Sequence, residues 1–213
     1  MMIARFAEWR SASAVAGALV VSALASMVVA CSDGGDAGGV PVASDAAFMV
    51  VESDGSRRAV DHLEALLELA AFEVVLPASL PEGVELQSAQ LTLPDPRFES
   101  MAPFARARAT PVLLSFRGPG EDAARGFAVM EYEAAGGSPT TIGDAGAIAF
   151  ELPGAEGAQL LDLPLDGRRA QSGTSVVWRA CGVDFALTAP GSDVMPREEV
   201  LDLAQAFITG CGS

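Results

Sequence analysis

The chain is 213 residues long and sets 13 basic against 28 acidic side chains, a net charge of −15 at neutral pH. Such a surface repels polyanions, and nucleic-acid binding, which needs a basic stripe to displace counterions, is excluded. Half of the residues are apolar, so one domain with a sizeable core is the expectation.

The first element is an export signal. Arg5 and Arg10 precede Ala12 to Ala30, nineteen residues without a charge, and small Ala30 stands directly before Cys31. The run Val28-Val29-Ala30-Cys31 resembles a bacterial lipobox, in which the cysteine sulfur receives a diacylglyceryl group and becomes the new N-terminus. That resemblance implies a signal peptide over residues 1–30, lipidation at Cys31, and a domain tethered to a membrane of the cell envelope on its extracytoplasmic side. Two competing readings stay open. Nineteen uncharged residues also suffice to span a bilayer, and an uncleaved helix would give the same topology, with arginines on one side and Asp33 and Asp36 on the other. A non-lipidating peptidase would instead cut after Ala23-Leu24-Ala25.

Without residues 1–30 the chain loses Arg5, Arg10 and Glu8, which leaves 11 basic and 27 acidic residues and a net charge of −16. This acidity reads as solvation ahead of a dedicated cation site. Three cysteines in an exported protein leave one unpaired thiol, and lipidating Cys31 removes the excess. Cys181 and Cys211 then form a natural disulfide pair in an oxidising compartment, with two buried free thiols as the alternative.

Residues 32–44, rich in Gly, Asp, Ala and Ser, read as a flexible tether. The folded domain is expected over residues 45–213. Phe48 to Val51 is a short apolar run that ends at the turn signal Asp54-Gly55, and it predicts a strand. From Arg57 to Ala71 the positions Val60, Leu63, Leu67 and Ala70 recur at helical spacing, with Ser56 as N-cap. Pro77 and Pro81 end that region. Strands are predicted at Val84 to Leu93, Val112 to Phe116, Phe127 to Tyr132, Ala147 to Leu152, Leu160 to Leu163, Ser175 to Arg179 and Val183 to Leu187. Cys181-Gly182 sits at the tight turn between the last two. Arg97 to Thr110 lacks a pattern and reads as a surface loop. Arg197 to Phe207 is an amphipathic helix, with Pro196 at its start and Gly210 at its end. The fold class is therefore α+β: an antiparallel β-sheet, flat or curved, packed against an N-terminal and a C-terminal helix. Its core should include Val74, Leu80, Leu86, Leu114, Phe116, Val129, Val176, Trp178, Phe185, Leu187, Leu201 and Phe207.

The stretch from Phe72 to Leu86, with Leu76-Pro77 followed by Leu80-Pro81-Glu82-Gly83-Val84-Glu85-Leu86, resembles the opening motif of a bacterial extracytoplasmic domain of unknown function. That domain occurs in envelope lipoproteins, at the outer ends of some anti-sigma factors and beside sporulation-associated lipoproteins. Val112 to Phe116 is similar to its second strand. Val176-Val177-Trp178 with Gly182, Val183, Phe185 and Leu187 is similar to its tryptophan hairpin, and Glu198 to Ala204 to its closing helix. The resemblance spans Ala65 to Ile208. The Cys181 and Cys211 pair and the loop from Arg97 to Thr110 depart from it. On their own account, Pro77 and Pro81 restrict the backbone and Gly83 supplies a turn conformation, which is fold chemistry ahead of ligand chemistry.

No catalytic constellation stands out. His62 is the sole histidine and lies in the predicted helix with Asp61 and Glu64 as sequence neighbours, on a polar face, with no nucleophile nominated for it. One histidine and two distant cysteines give no zinc spacing. Asp162 with Asp166, and Glu121 with Asp122, lack the dense oxygen spacing of a calcium loop. Gly118-Pro119-Gly120 is not followed by the Lys-Ser or Lys-Thr of a phosphate loop, and Ser172 to Ser175 has no nucleophile-elbow context. The expectation is a membrane-anchored, non-catalytic binding or sensing domain without a cofactor. Its partner is an envelope protein or peptide, and the alternative is an apolar ligand carried by a half-barrel sheet.

Overall fold

A computed structural model describes residues 39–95, 110–118, 125–134, 136, 138–143, 146–163 and 172–211. The expected signal peptide over residues 1–30, Cys31, most of the expected tether, and the stretch from Arg97 to Ala109 lie outside them, as do Pro119-Gly120 with Glu121 and Asp122.

Among the described residues, nine strands form one sheet and two helices lie on it: β1 (Val42–Val51), β2 (Arg57–Val60), α1 (Leu63–Leu67), β3 (Glu85–Thr92), β4 (Val112–Arg117), β5 (Phe127–Glu133), β6 (Ile148–Ala149), β7 (Glu156–Leu163), β8 (Gly173–Ala180), β9 (Val183–Pro190) and α2 (Arg197–Thr209). The order across the sheet is β2-β1-β3-β4-β5-β9-β8-β7-β6. The chain is α+β and mostly sheet.

Three features near the start of the domain differ from the sequence expectation, and in its second half the strand expected from Ala147 to Leu152 is reduced to Ile148–Ala149. β1 begins at Val42, and Val40 and Ala43 are buried, so the end of the stretch read as tether belongs to the sheet. The helix expected from Arg57 to Ala71 is reduced to the five residues of α1. Its first turn is β2, which folds back on β1 in the register Val51↔Arg57 to Phe48↔Val60. Ser56 does not cap a helix: its amide donates to Asp54 Oδ1 at 2.8 Å inside the hairpin turn, where Gly55 holds φ 83°. The spacing of Val60, Leu63 and Leu67 was compatible with a helix, but pairing with β1 satisfies the backbone of residues 57–60 and overrides it.

The third difference is a parallel pair. β1 and β3 run parallel, whereas the other seven pairings are antiparallel. Parallel neighbours need a long crossover, and residues 61–84 provide it as α1 followed by a proline-rich strap. Alternation of side chains tells which face is buried and carries no information about strand direction.

Two rows of inward-facing side chains run across the sheet. One is Phe48, Ala89, Leu114, Val129, Leu187, Val176 and Leu160, each opposite the next. The other is Val50, Leu91, Val112, Glu131, Phe185 and Trp178. The first row is wholly apolar and the second carries one carboxylate.

α2 covers this face with Val200, Leu203, Ala204 and Phe207. Glu198 and Glu199 in its first turn oppose the positive end of its dipole. Between helix and sheet the rings form a chain. Phe127 stacks on Phe116 at 4.6 Å, Phe207 meets the edges of Phe116 and Phe185 at 6.1 Å, and Phe185 stacks on Trp178 at 4.8 Å. Nine of the twelve expected core residues are buried, and Val74, Leu80 and Leu201 are half-buried against the core. At the sheet edges, β2 carries Arg57 and Arg58 and β6 is two residues long, both of which discourage strand addition.

Cys181 and Cys211 stand 6.0 Å apart at Cα and are joined, tying the β8–β9 turn to the end of α2. Cys181 holds φ 55° and Gly182 φ 77°, the left-handed pair of a two-residue hairpin turn. Asn is at home in the first position and Cys is not, so the cysteine is there for its cross-link. The bridged residues are 30 apart, for which chain entropy assigns about 3–4 kcal/mol. Removing the bridge as C181A/C211A should therefore lower unfolding free energy in urea by about that amount. C181N/C211A should recover about 1 kcal/mol of the loss, because Asn restores the turn without restoring the bridge.

Candidate functional site

The strap of residues 70–84 lies beside α2 and is fastened at three points. The amide of Val75 donates to Glu131 Oε2 at 2.9 Å. The amide of Ala78 donates to the carbonyl of Ala206 in α2 at 2.9 Å. The carbonyl of Leu76 approaches Gly210 so closely that a Cβ there would lie 2.0 Å from its oxygen. Gly210 is in ordinary helical conformation, φ −67°, so glycine is required for space and not for a left-handed cap. Beyond Pro81 the strap turns sharply, with the amide of Val84 donating to the carbonyl of Pro81 at 3.0 Å and Gly83 at φ 75°. The leucine-proline-glycine motif is thus the second half of the parallel crossover, as its turn chemistry predicts.

Where the strap ends, a small cleft opens between it, the start of β5 and the first half of α2. Its volume is about 80 Å³. Val84, Phe127, Met195 and Leu203 make an apolar floor, and Pro81, Glu82, Arg125 and Glu199 line the rest. Arg125 Nη2 lies 2.8 Å from Glu199 Oε1 and 2.5 Å from Oε2. That pair is about one-third exposed, so it contributes at most about 1 kcal/mol to stability; its larger effect is to hold the rim in place. Glu82 is exposed.

At the other end of β5, Glu131 is fully buried in the inner row between Val112 and Phe185. Burial pushes its carboxyl up to about 8 from the ordinary 4.5, opposed only by the Val75 amide. Its Oε1 makes no hydrogen bond, and neither does Nε1 of Trp178, two strands away in the same row. The alternation Phe127, Val129, Glu131 placed this carboxylate on the buried face, and that was the available signal for a residue the sequence reading passed over.

The other residues singled out from the sequence do not converge. His62 is exposed at the N-terminus of α1 and makes no cap hydrogen bond. Ser172 Oγ donates to Asp193 at 2.8 Å, Thr174 Oγ1 to Asp162 at 3.0 Å, and Ser175 Oγ to the Leu187 carbonyl at 3.4 Å, three separate contacts with no base in common. Asp184, buried on the opposite sheet face, is held by Arg179 at 2.6 and 2.9 Å and by Thr140 at 3.0 Å. These bonds dock residues 138–142 on the sheet, together with the Ile142 amide on Gln159. Among the described residues no three His, Cys, Asp or Glu side chains gather as metal ligands.

No protein-family model, no curated protein and no solved structure matches the chain. What the domain does therefore has to be read from its own groups.

A group that binds its proton more tightly in the folded state than in the unfolded chain makes stability fall as pH rises. Glu131 contributes fully below about pH 4.5, and the contribution disappears as pH climbs to about 8, a change on the order of 5 kcal/mol. Glu131→Gln keeps an acceptor for Val75 and cannot ionise. Urea unfolding across this range should show the wild type losing stability relative to Glu131→Gln with rising pH, and a constant difference would contradict the assignment.

Proposed function

We propose that the chain is an extracytoplasmic lipoprotein, held to a membrane of the bacterial cell envelope by acyl groups on Cys31, whose α+β domain recognises a partner protein without turnover. The anchor rests on Val28-Val29-Ala30-Cys31 behind an uncharged stretch and two arginines. Kinship with the extracytoplasmic domain of unknown function rests on the leucine-proline-glycine motif, whose residues here build the strap and one wall of the cleft.

The observation that carries the recognition reading is the cleft. About 80 Å³ above Phe127 and Leu203 accepts one apolar side chain. Glu82 at its edge, on a domain of strongly negative charge, favours a partner segment with a basic group beside that side chain. The occupant is therefore a basic-apolar peptide segment of an envelope protein. A carrier of acyl chains needs a cavity of several hundred Å³. The layer where a half-barrel would hold its ligand is instead filled by Phe116, Phe127, Phe207, Phe185 and Trp178. The separate engagement of Ser172, Thr174 and Ser175, with His62 at the surface, supports a reading of recognition without turnover.

Cys31→Ser should move the protein from the membrane fraction to the soluble exported fraction. Mass spectrometry of the native N-terminus should show an acylated cysteine; Met1 or unmodified Cys31 there would contradict the anchor.

For the cleft, the probe is the tripeptide acetyl-Lys-Leu-Lys-amide titrated into methyl-labelled protein. Met195 on the cleft floor should shift, while Met49 and Met130, which point to the opposite sheet face, should not. Acetyl-Glu-Leu-Glu-amide should leave all three unchanged. Equal response at the three methionines, or none, would overturn the cleft as the recognition point.

A further inference from the structure

Glu131 is used by neither the anchor nor the cleft, yet it is a fully buried carboxyl bonded to the strap and not to its own sheet neighbours. The groups around it supply no countercharge. Val112 of β4 and Phe185 of β9 flank it, and Trp178 of β8 follows. On its own strand Glu133 is exposed, and on the strap Glu73 is exposed. Asp184 of β9 points to the opposite face and is paired with Arg179. Only burial and the Val75 amide act on its proton.

An ionised carboxylate in that row has one hydrogen bond and one bare oxygen, a state that water would relieve and the apolar neighbours cannot. The segment bonded to that carboxyl is the strap, through the Val75 amide. The strap's polar fastenings are the Val75 amide, one backbone bond and one close approach at the end of α2, and Val75, Val74, Leu76 and Leu80 pack against the core. Opening β4, β5 or β9 would break whole ladders, whereas lifting residues 73–80 breaks two hydrogen bonds and uncovers Val75 and Pro77 with the half-buried Val74, Leu76 and Leu80.

We propose that Glu131 is a proton-operated latch on the strap: protonated, it seats residues 73–80 against the sheet, and ionised, it releases them together with the Pro81 to Val84 wall of the cleft. The latch itself rests on the geometry of Glu131 and Val75; its consequence for binding rests on the recognition reading above. A domain outside the cytoplasm would then lose its binding edge in alkaline surroundings.

The test is native-state hydrogen exchange of the full domain across pH, corrected for intrinsic exchange rates, with Glu131→Gln alongside. Linkage makes strap opening in the wild type increase about tenfold per pH unit up to about pH 8 and level off above it. In Glu131→Gln the same amides should keep constant protection. The opening should depend on added urea clearly less than the exchange of the Leu114, Val129 and Leu187 amides, which proceeds through a larger unfolding. Strap amides that exchange only with the core, at the core's urea dependence, would overturn the latch, and so would the same pH dependence in Glu131→Gln. Should that variant not fold, the wild-type amides still decide between local and global opening. Repeating the acetyl-Lys-Leu-Lys-amide titration at about pH 6 and about pH 9 separates the two claims. Loss at the higher pH alone supports both, and failure at both with strap opening intact removes the cleft reading and leaves the latch.

Discussion

The hydrogen bond from the Val75 amide to the buried Glu131 carboxyl is the contact that holds the crossover to the middle of the sheet. β1 and β3 are parallel neighbours, so the chain between them has to cross the packed face, and beyond the short α1 its proline-bearing half, residues 70–84, forms no helix to hold it there. The strap is instead bonded on one side to the middle of the sheet and on the other to α2 through Ala78 and Gly210. α2 in turn closes over the ring chain from Phe127 to Trp178 and is tied at its far end to the β8–β9 turn by Cys181 and Cys211. Strap, helix and hairpin are thus three covers on one sheet, each fastened to the next.

This arrangement puts the tightest fastenings and the cleft at opposite ends of α2. The disulfide, Gly210 and Glu131 lie toward its C-terminal end, where atoms are close and polar groups scarce. The Arg125 and Glu199 pair and the small cleft lie toward its N-terminal end, where the strap turns outward at Gly83 and leaves an apolar floor in reach of solvent. Displacement of the strap at one end therefore has a direct route to the other, since residues 73–80 and 81–84 are one continuous piece of chain. The lipid anchor that we propose at Cys31 would hold this surface within tether length of a membrane.

Much of the fold was legible in the sequence wherever burial on one face left a period of two. β4, β5, β8 and β9 appear at the expected residues, and the turn at Cys181-Gly182 and the last helix are where their glycine and proline signals place them. Legibility failed where local pattern and tertiary pairing disagreed. Val60, Leu63 and Leu67 fit a helix by spacing, yet Arg57 to Val60 pair with β1, because an edge strand gains ladder hydrogen bonds that a periodicity argument does not count. The direction of β3 was equally hidden, since alternation is the same for parallel and antiparallel neighbours. The cleft was illegible for another reason: Glu82, Phe127 and Leu203 come from three distant parts of the chain and meet only through the crossover. Glu131 was the readable exception, a carboxylate in phase with Phe127 and Val129.

The central claim is that Glu131 is neutral and buried at physiological pH, with its carboxyl closing the crossover. The most direct measurement is a carbon-13 NMR titration of the Glu131 side-chain carboxyl in selectively labelled protein, assigned by comparison with Glu131→Gln. The account predicts a midpoint near pH 8 for this resonance. A midpoint near the ordinary 4.5 would mean that the carboxylate is solvated or paired at neutral pH, and would contradict both the closed crossover and the latch built on it.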